Sequence, residues 1–180
     1  MHIVGAKLKN DPTYIYIDAA PYTPSDADGA YIVLVQTFLG GKRPQQFQSS
    51  LAIQKKEEIQ AIGGPISSGQ HTYYRALLVG VYQALQSLQF LLQAPAFAYI
   101  HVPEKDIVYL LEDPEKMDKH YHLARLIESH QPIQELVTEI KQLHTALQYK
   151  TTPAMLYISK ENDYIKRCRE VCLQLAEGKE

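Results

Sequence analysis

Asp18 closes the apolar run Tyr14-Ile15-Tyr16-Ile17, and it is the side chain in this sequence best placed for chemistry. A carboxylate at the end of a buried strand either carries chemistry or caps the turn that follows. Glu104 comes directly after Ile100-His101-Val102-Pro103. It too reads either as a functional acid or as an acid that favours a helix start. Gly64 and Gly69 stand at phosphate-loop spacing, but Gln70-His71 follow where such a loop needs Lys and then Ser or Thr. That leaves a loop ahead of a helix, whose backbone amides, with Ser67 and Ser68, could still meet a phosphate.

Cys168 and Cys172 are neighbours on one helix face, with neither CxxC spacing nor a histidine tied to them. They read as packed core, and no disulfide is expected. His120 and His122 are two apart, so on a helix they diverge instead of converging on zinc. Lys166, Arg167 and Arg169 cluster near the C-terminus, with Lys42-Arg43 and Lys55-Lys56 elsewhere. These basic groups form either a solvated surface or a modest phosphate-contact patch that salt would weaken. Thirteen tyrosines offer stacking surfaces, although most fall at core periodicity.

The frame that must position these groups is an ordinary globular one. A chain of 180 residues, 46% hydrophobic and 21% charged, fits a single domain over residues 1–180 and excludes disordered and fibrous classes. A net charge of -2 argues against a protein held to nucleic acid by bulk positive charge. Met1 to Asn10 carries no long apolar run, so neither a signal peptide nor a membrane span is expected, and the expected setting is cytoplasmic.

Strands are predicted at Tyr14–Asp18, Ala30–Phe38 and Gln46–Ile53, the last two joined as a hairpin through Gly40-Gly41-Lys42-Arg43-Pro44. Residues 63–69 read as a loop. From about His71 to Gln93, Tyr74, Leu77, Leu78, Val81, Leu85, Leu88 and Leu92 recur at helical spacing. Phe97–Val102 is a fourth strand. Asp113-Pro114 opens a helix to about Ser129, and Gln131-Pro132 opens another to about Gln148. Ala154–Ile158 is a fifth strand, and a helix from about Asn162 to Glu177 ends the chain. The order β-β-β-α-β-α-α-β-α is that of an α/β protein with a mixed five-stranded sheet, three antiparallel strands first, flanked by helices.

That order, together with four local patterns, resembles the ribonuclease H-like superfamily over a core of about residues 13–177. Ile15-Tyr16-Ile17-Asp18-Ala19-Ala20 is similar to its first strand, whose aspartate holds a catalytic metal. Ser68-Gly69-Gln70-His71-Thr72-Tyr73-Tyr74-Arg75-Ala76-Leu77 resembles the entry to its first helix. Ile100 to Val108 resembles the fourth strand and following helix start, and Ser159-Lys160-Glu161-Asn162 the last strand-to-helix junction. The resemblance implies phosphodiester hydrolysis by two divalent cations, Mg or Mn, held by four acids. Asp18 matches the first acid and Glu104 takes the place of an aspartate. Tyr73 and Lys166 stand at the other two expected acidic positions. A phenol does not replace a bridging carboxylate, and an ammonium group opposes a bound cation. Asp163, one turn before Lys166, is the acid that could be recruited, while Asp26, Asp28 and Asp106 have no assigned role.

The resemblance therefore implies a ribonuclease H-like domain that is catalytically impaired and keeps a nucleic-acid-binding or assembly role. Its expected contacts are Ser68, Gln70, His71, Lys166 and Arg167, with His101 near the same cleft. The expected partners are RNA/DNA hybrid, structured RNA or a protein, and no membrane. The alternative is an active metal-dependent ribonuclease that cuts the RNA strand of hybrids through Asp18, Glu104 and Asp163. A third reading is a purely structural interaction module.

Overall fold

The structure, a computed structural model, describes residues 13–20, 29–38, 57–66, 71–91, 98–149, 154–158 and 163–176. Five strands are formed: β1 (Thr13–Ala20), β2 (Gly29–Phe38), β3 (Glu57–Ile66), β4 (Ala98–Val102) and β5 (Ala154–Ile158). They make one sheet in the order β3-β2-β1-β4-β5. β2 runs antiparallel to both β1 and β3, whereas β4 runs parallel to both β1 and β5. The sheet thus changes sense across its central strand, β1.

Helices cover both faces, which is why β1 is buried continuously from Ile15 to Ala20 instead of alternating between core and water. Strand alternation divides these side chains between two layers. Ile15, Ile17 and Ala19 join the core built around α1 (Thr72–Leu91), whose Leu77, Leu78, Val81, Leu85 and Leu88 are all buried, as their helical spacing predicts. Tyr16 and Ala20 pack instead with Ile165, Cys168 and Cys172 of the last helix, Asp163–Ala176. Gly80 permits the close seating of α1, since a Cβ there would stand 2.8 Å from Ile17 Cγ2. Both cysteines are buried free thiols. Burial pushes the Cys168 thiol up to about 12 and raises Cys172 as well, so neither is poised as a nucleophile.

The pairing of β2, the loop over 63–66 and the helix over 113–129 differ from the prediction. Gln46–Ile53 lies outside the described residues, and the strand that pairs with β2 is β3. Gly63, Gly64 and Pro65 are therefore strand, not loop, and Gly64 does not open a phosphate loop. Glycine and proline are tolerated there because β3 is an edge strand. Gly64 lies opposite Tyr31, whose ring comes within 3.6 Å of where a Cβ would stand.

The helix expected over Asp113–Ser129 is divided. α2 (Lys105–Glu112) ends where Asp113 leaves helical geometry, at φ -150 and ψ 73. Pro114–Lys116 makes only one 3-10 turn, and α3 (His122–Ser129) follows. Asp118 Oδ1 accepts the His120 N–H at 2.8 Å, an Asx turn that competes with helix hydrogen bonding between the two pieces. α4 (Gln131–Tyr149) begins where predicted and packs on α1, bringing Ile133, Val137 and Ile140 to the same core. The closing helix, Asp163–Ala176, is α5. No described helix is long and apolar enough to cross a membrane.

Candidate functional site

β1 and β4 are adjacent parallel strands, and the crevice beyond the carboxyl ends of such strands is where open α/β sheets bind ligands. Tyr16 pairs with His101, so Asp18 lies level with Pro103 and Glu104 comes next. Asp18 is only 2% exposed. Its Oδ1 accepts the Ala19 N–H at 2.9 Å, and its Oδ2 lies 3.8 Å from Nε of Arg169. An unpaired buried carboxylate would cost several kcal/mol, roughly, and the guanidinium supplies the compensating charge.

The second carboxylate is engaged differently. Tyr73, on the first turn of α1, donates its hydroxyl to Glu104 Oε1 at 2.9 Å. Burial, then the neighbouring Glu104 and Asp18 charges, push the Tyr73 phenol well above its ordinary range, so it stays a protonated donor. Burial also raises the Glu104 pKa, while the hydrogen bond from Tyr73 pulls in the opposite direction. Tyr73, at the position where the resemblance implies a bridging acid, thus carries a hydroxyl that binds Glu104.

Asp106 supports this end of the molecule. It is 4% exposed and accepts three hydrogen bonds: Tyr74 Oη at 2.8 Å and Leu123 N–H at 3.2 Å on Oδ2, and Ile107 N–H at 3.0 Å on Oδ1. One carboxylate therefore ties together the N-terminal ends of α1, α2 and α3. Behind it, aromatic pairs cross β1 and β4. Tyr14 stacks on Tyr99 at 5.5 Å, and Tyr16 on His101 at 5.0 Å. Burial lowers the His101 pKa, which favours its neutral ring.

Of the residues singled out in the sequence, Asp18, Glu104 and Tyr73 come to this one end. Asp163, Lys166 and Arg167 lie exposed on the first turns of α5, and a later α5 residue, Arg169, reaches Asp18. Its signal is helical periodicity: Arg169 is four residues past buried Ile165 and next to buried Cys168, at the margin of the stripe that packs on β1. His71 is exposed just ahead of α1, and Ser68 and Gln70 lie outside the described residues.

A pair of hard divalent cations needs several anionic oxygens converging on one point. Here Glu104 is hydrogen-bonded by a phenol and Asp18 is paired with a guanidinium. Among the described residues no group of three or more His, Cys, Asp or Glu could hold a metal ion. The described side chains do not fit a two-metal centre.

No family model and no curated protein matches this chain. Solved structures do. LC9-RNase H1, a type 1 RNase H with the type 2 active-site motif, is 11% identical with a TM-score of 0.56, over 95% of this chain and 74% of that one. RNase H1 from the halophilic archaeon Halobacterium salinarum is 11% identical with a TM-score of 0.52, over 93% and 98%. LC11-RNase H1 in complex with an RNA/DNA hybrid is 12% identical with a TM-score of 0.50, over 92% and 97%. Likeness at such identities is likeness of architecture: across nearly its whole length, this chain has the α/β ribonuclease H-like fold.

Proposed function

We propose that this protein is a ribonuclease H-like domain that binds nucleic acid, RNA/DNA hybrid foremost, without hydrolysing it. The observation that carries this reading is the Arg169–Asp18 pair: the carboxylate that a catalytic cation would need is already neutralised by a side chain of the same chain. Tyr73 on Glu104 acts in the same sense. Relative to a bare acidic cluster, a cleft compensated in this way repels phosphates less, and it needs no metal to admit them. The hybrid is favoured as ligand because a structural neighbour, LC11-RNase H1, is solved with one.

The test is incubation with labelled RNA/DNA hybrid in Mg²⁺ or Mn²⁺, alongside binding at increasing salt. The hybrid stays uncut, and affinity falls about 3.5-fold for each phosphate contacted between roughly 50 and 200 mM salt. Cleavage that Asp18→Asn abolishes would overturn the reading in favour of an active nuclease. No affinity at low salt would leave the fold as a structural module.

A further inference from the structure

The cation that faces Asp18 is carried by the protein itself. Arg169 Nε lies 3.8 Å from Asp18 Oδ2, with the carboxylate 2% exposed and the arginine side chain 44% exposed. A charge-assisted hydrogen bond between such groups is shorter, about 2.7–2.9 Å. Asp18 therefore holds the guanidinium by charge, an attraction that weakens only as the inverse of distance, and does not close on its donor fork. Asp18 is itself fixed by the Ala19 N–H, donated to Oδ1 at 2.9 Å. One partner is anchored in the sheet, and the other reaches from the buried carboxylate out to water.

The neighbours of the pair set its charge. Lys166, three residues before Arg169 and exposed, shares its side of α5. The acids close to them on this helix are Asp163, one turn before Lys166, and Glu170, which follows Arg169. At the head of α1, the Tyr73 hydroxyl is donated to Glu104, so that carboxylate has a donor of its own. A guanidinium carries five N–H donors in a planar fork that matches two oxygens of a phosphodiester, and one carboxylate oxygen at ion-pair distance does not exhaust them. The described side chains fit no pair of divalent cations, so a phosphate that enters this cleft needs another positive partner.

We propose that Arg169 is the phosphodiester ligand of the cleft, acting in place of a metal ion, and that Asp18 competes with the phosphate for it. The inference rests on the nucleic-acid reading above and deepens it, naming the group that takes the phosphate and the group that tempers the grip. Asp18 positions the guanidinium, yet it stays within Coulomb range of any phosphate bound there and repels it. In a metal-loaded cleft the same carboxylate would strengthen binding by holding the cation. The two arrangements therefore give opposite signs for one substitution.

The experiment measures fluorescence anisotropy of a labelled RNA/DNA hybrid in EDTA at several salt concentrations. The wild-type chain is compared with Asp18→Asn, with Asp18→Asn/Arg169→Gln and with Glu139→Gln. Asparagine keeps an oxygen for the Ala19 N–H, and the double variant leaves no buried charge unpaired, so both keep the fold, checked by thermal melting. Glu139 is exposed on α4, in the layer on the other side of the sheet from α5, and its loss changes the net charge as Asp18→Asn does.

Asp18→Asn tightens binding about five-fold beyond Glu139→Gln. Adding Arg169→Gln then weakens it by about ten-fold and lowers the salt slope by about one. Binding that Asp18→Asn weakens, or tightens no more than Glu139→Gln does, would refute the subsite and leave the proposed function intact. So would an Arg169→Gln change that leaves affinity and slope where Asp18→Asn put them. The independent arm follows the Arg169 Nε–H resonance by NMR in inorganic pyrophosphate. A shift larger in Asp18→Asn than in wild type, with no hybrid bound by any of the proteins, would retain the phosphate subsite and overturn the proposed function. A resonance unmoved in both would refute the subsite.

Discussion

Asp106→Ala removes one acceptor from three donors at once. The Tyr74 hydroxyl, the Leu123 N–H and the Ile107 N–H all converge on a carboxylate that is 4% exposed. Hydrogen bonds to a charged acceptor contribute about 1.5–3 kcal/mol each, and a buried donor left unpaired costs about 1–3 kcal/mol. The Ile107 N–H belongs to the first turn of a helix, where the small cavity left by alanine can admit a water. Counting only Tyr74 and Leu123 gives a loss of about 3–5 kcal/mol. In a chain of this size each kcal/mol lowers Tm by about 2–4 °C, so the variant melts roughly 10 °C lower.

Tyr74→Phe removes one donor and leaves Asp106 its two backbone partners, so it costs only about 1–2 kcal/mol. Once Asp106 is gone, the Tyr74 hydroxyl keeps only its lesser interaction with Glu104 to lose. The double variant is then within about 0.5 kcal/mol of Asp106→Ala alone. Urea unfolding followed by circular dichroism on all four proteins measures the cycle. A loss below about 1 kcal/mol for Asp106→Ala, or strict additivity in the double variant, would refute Asp106 as the tie between the three helix ends.

Two further outcomes follow from contacts around the same helix. Gly80→Ala gains about 1 kcal/mol of helix propensity but forces a methyl to 2.8 Å from Ile17 Cγ2, a branched atom of a buried strand. The expected net effect is destabilisation by about 1–3 kcal/mol in denaturant melts, and a gain in stability would show that α1 can move off the sheet at no cost. Tyr73→Phe deletes the hydrogen bond that opposes the burial-driven rise of the Glu104 pKa, so that pKa climbs further. Because the folded state then holds this proton more tightly than the unfolded chain does, stability falls as pH rises from the ordinary carboxylate range through the raised value, and the variant extends that window upward. Carboxyl ¹³C NMR of Glu104 reads the shift directly, and a downward movement would contradict the assignment.

Much of the frame was legible from local pattern. The apolar run ending at Asp18, the stripe from Tyr74 to Leu88, and the strands at 98–102 and 154–158 follow from periodicity, because a buried strand or helix face repeats at its own backbone period. Non-local pairing was not legible. Gly63-Gly64-Pro65 has turn chemistry, yet the register with Ala30–Ile32 at a sheet edge holds it as strand. Asp113-Pro114 has helix-start chemistry, yet the Asx turn at Asp118 helps to break the segment.

The residues by themselves determined which acids are present and that the two cysteines belong to the core, while the resemblance implied acids where Tyr73 and Lys166 stand. Only the tertiary structure decided what each carboxylate meets: Arg169 at Asp18, Tyr73 at Glu104, and three helix ends at Asp106. Those partners are separated by 151 positions for Asp18–Arg169, the difference of their residue numbers, and by 31 for Tyr73–Glu104. Over such distances no sequence spacing encodes proximity; it arises from the parallel register of β1 on β4 and from the faces on which α1 and α5 bury their apolar stripes.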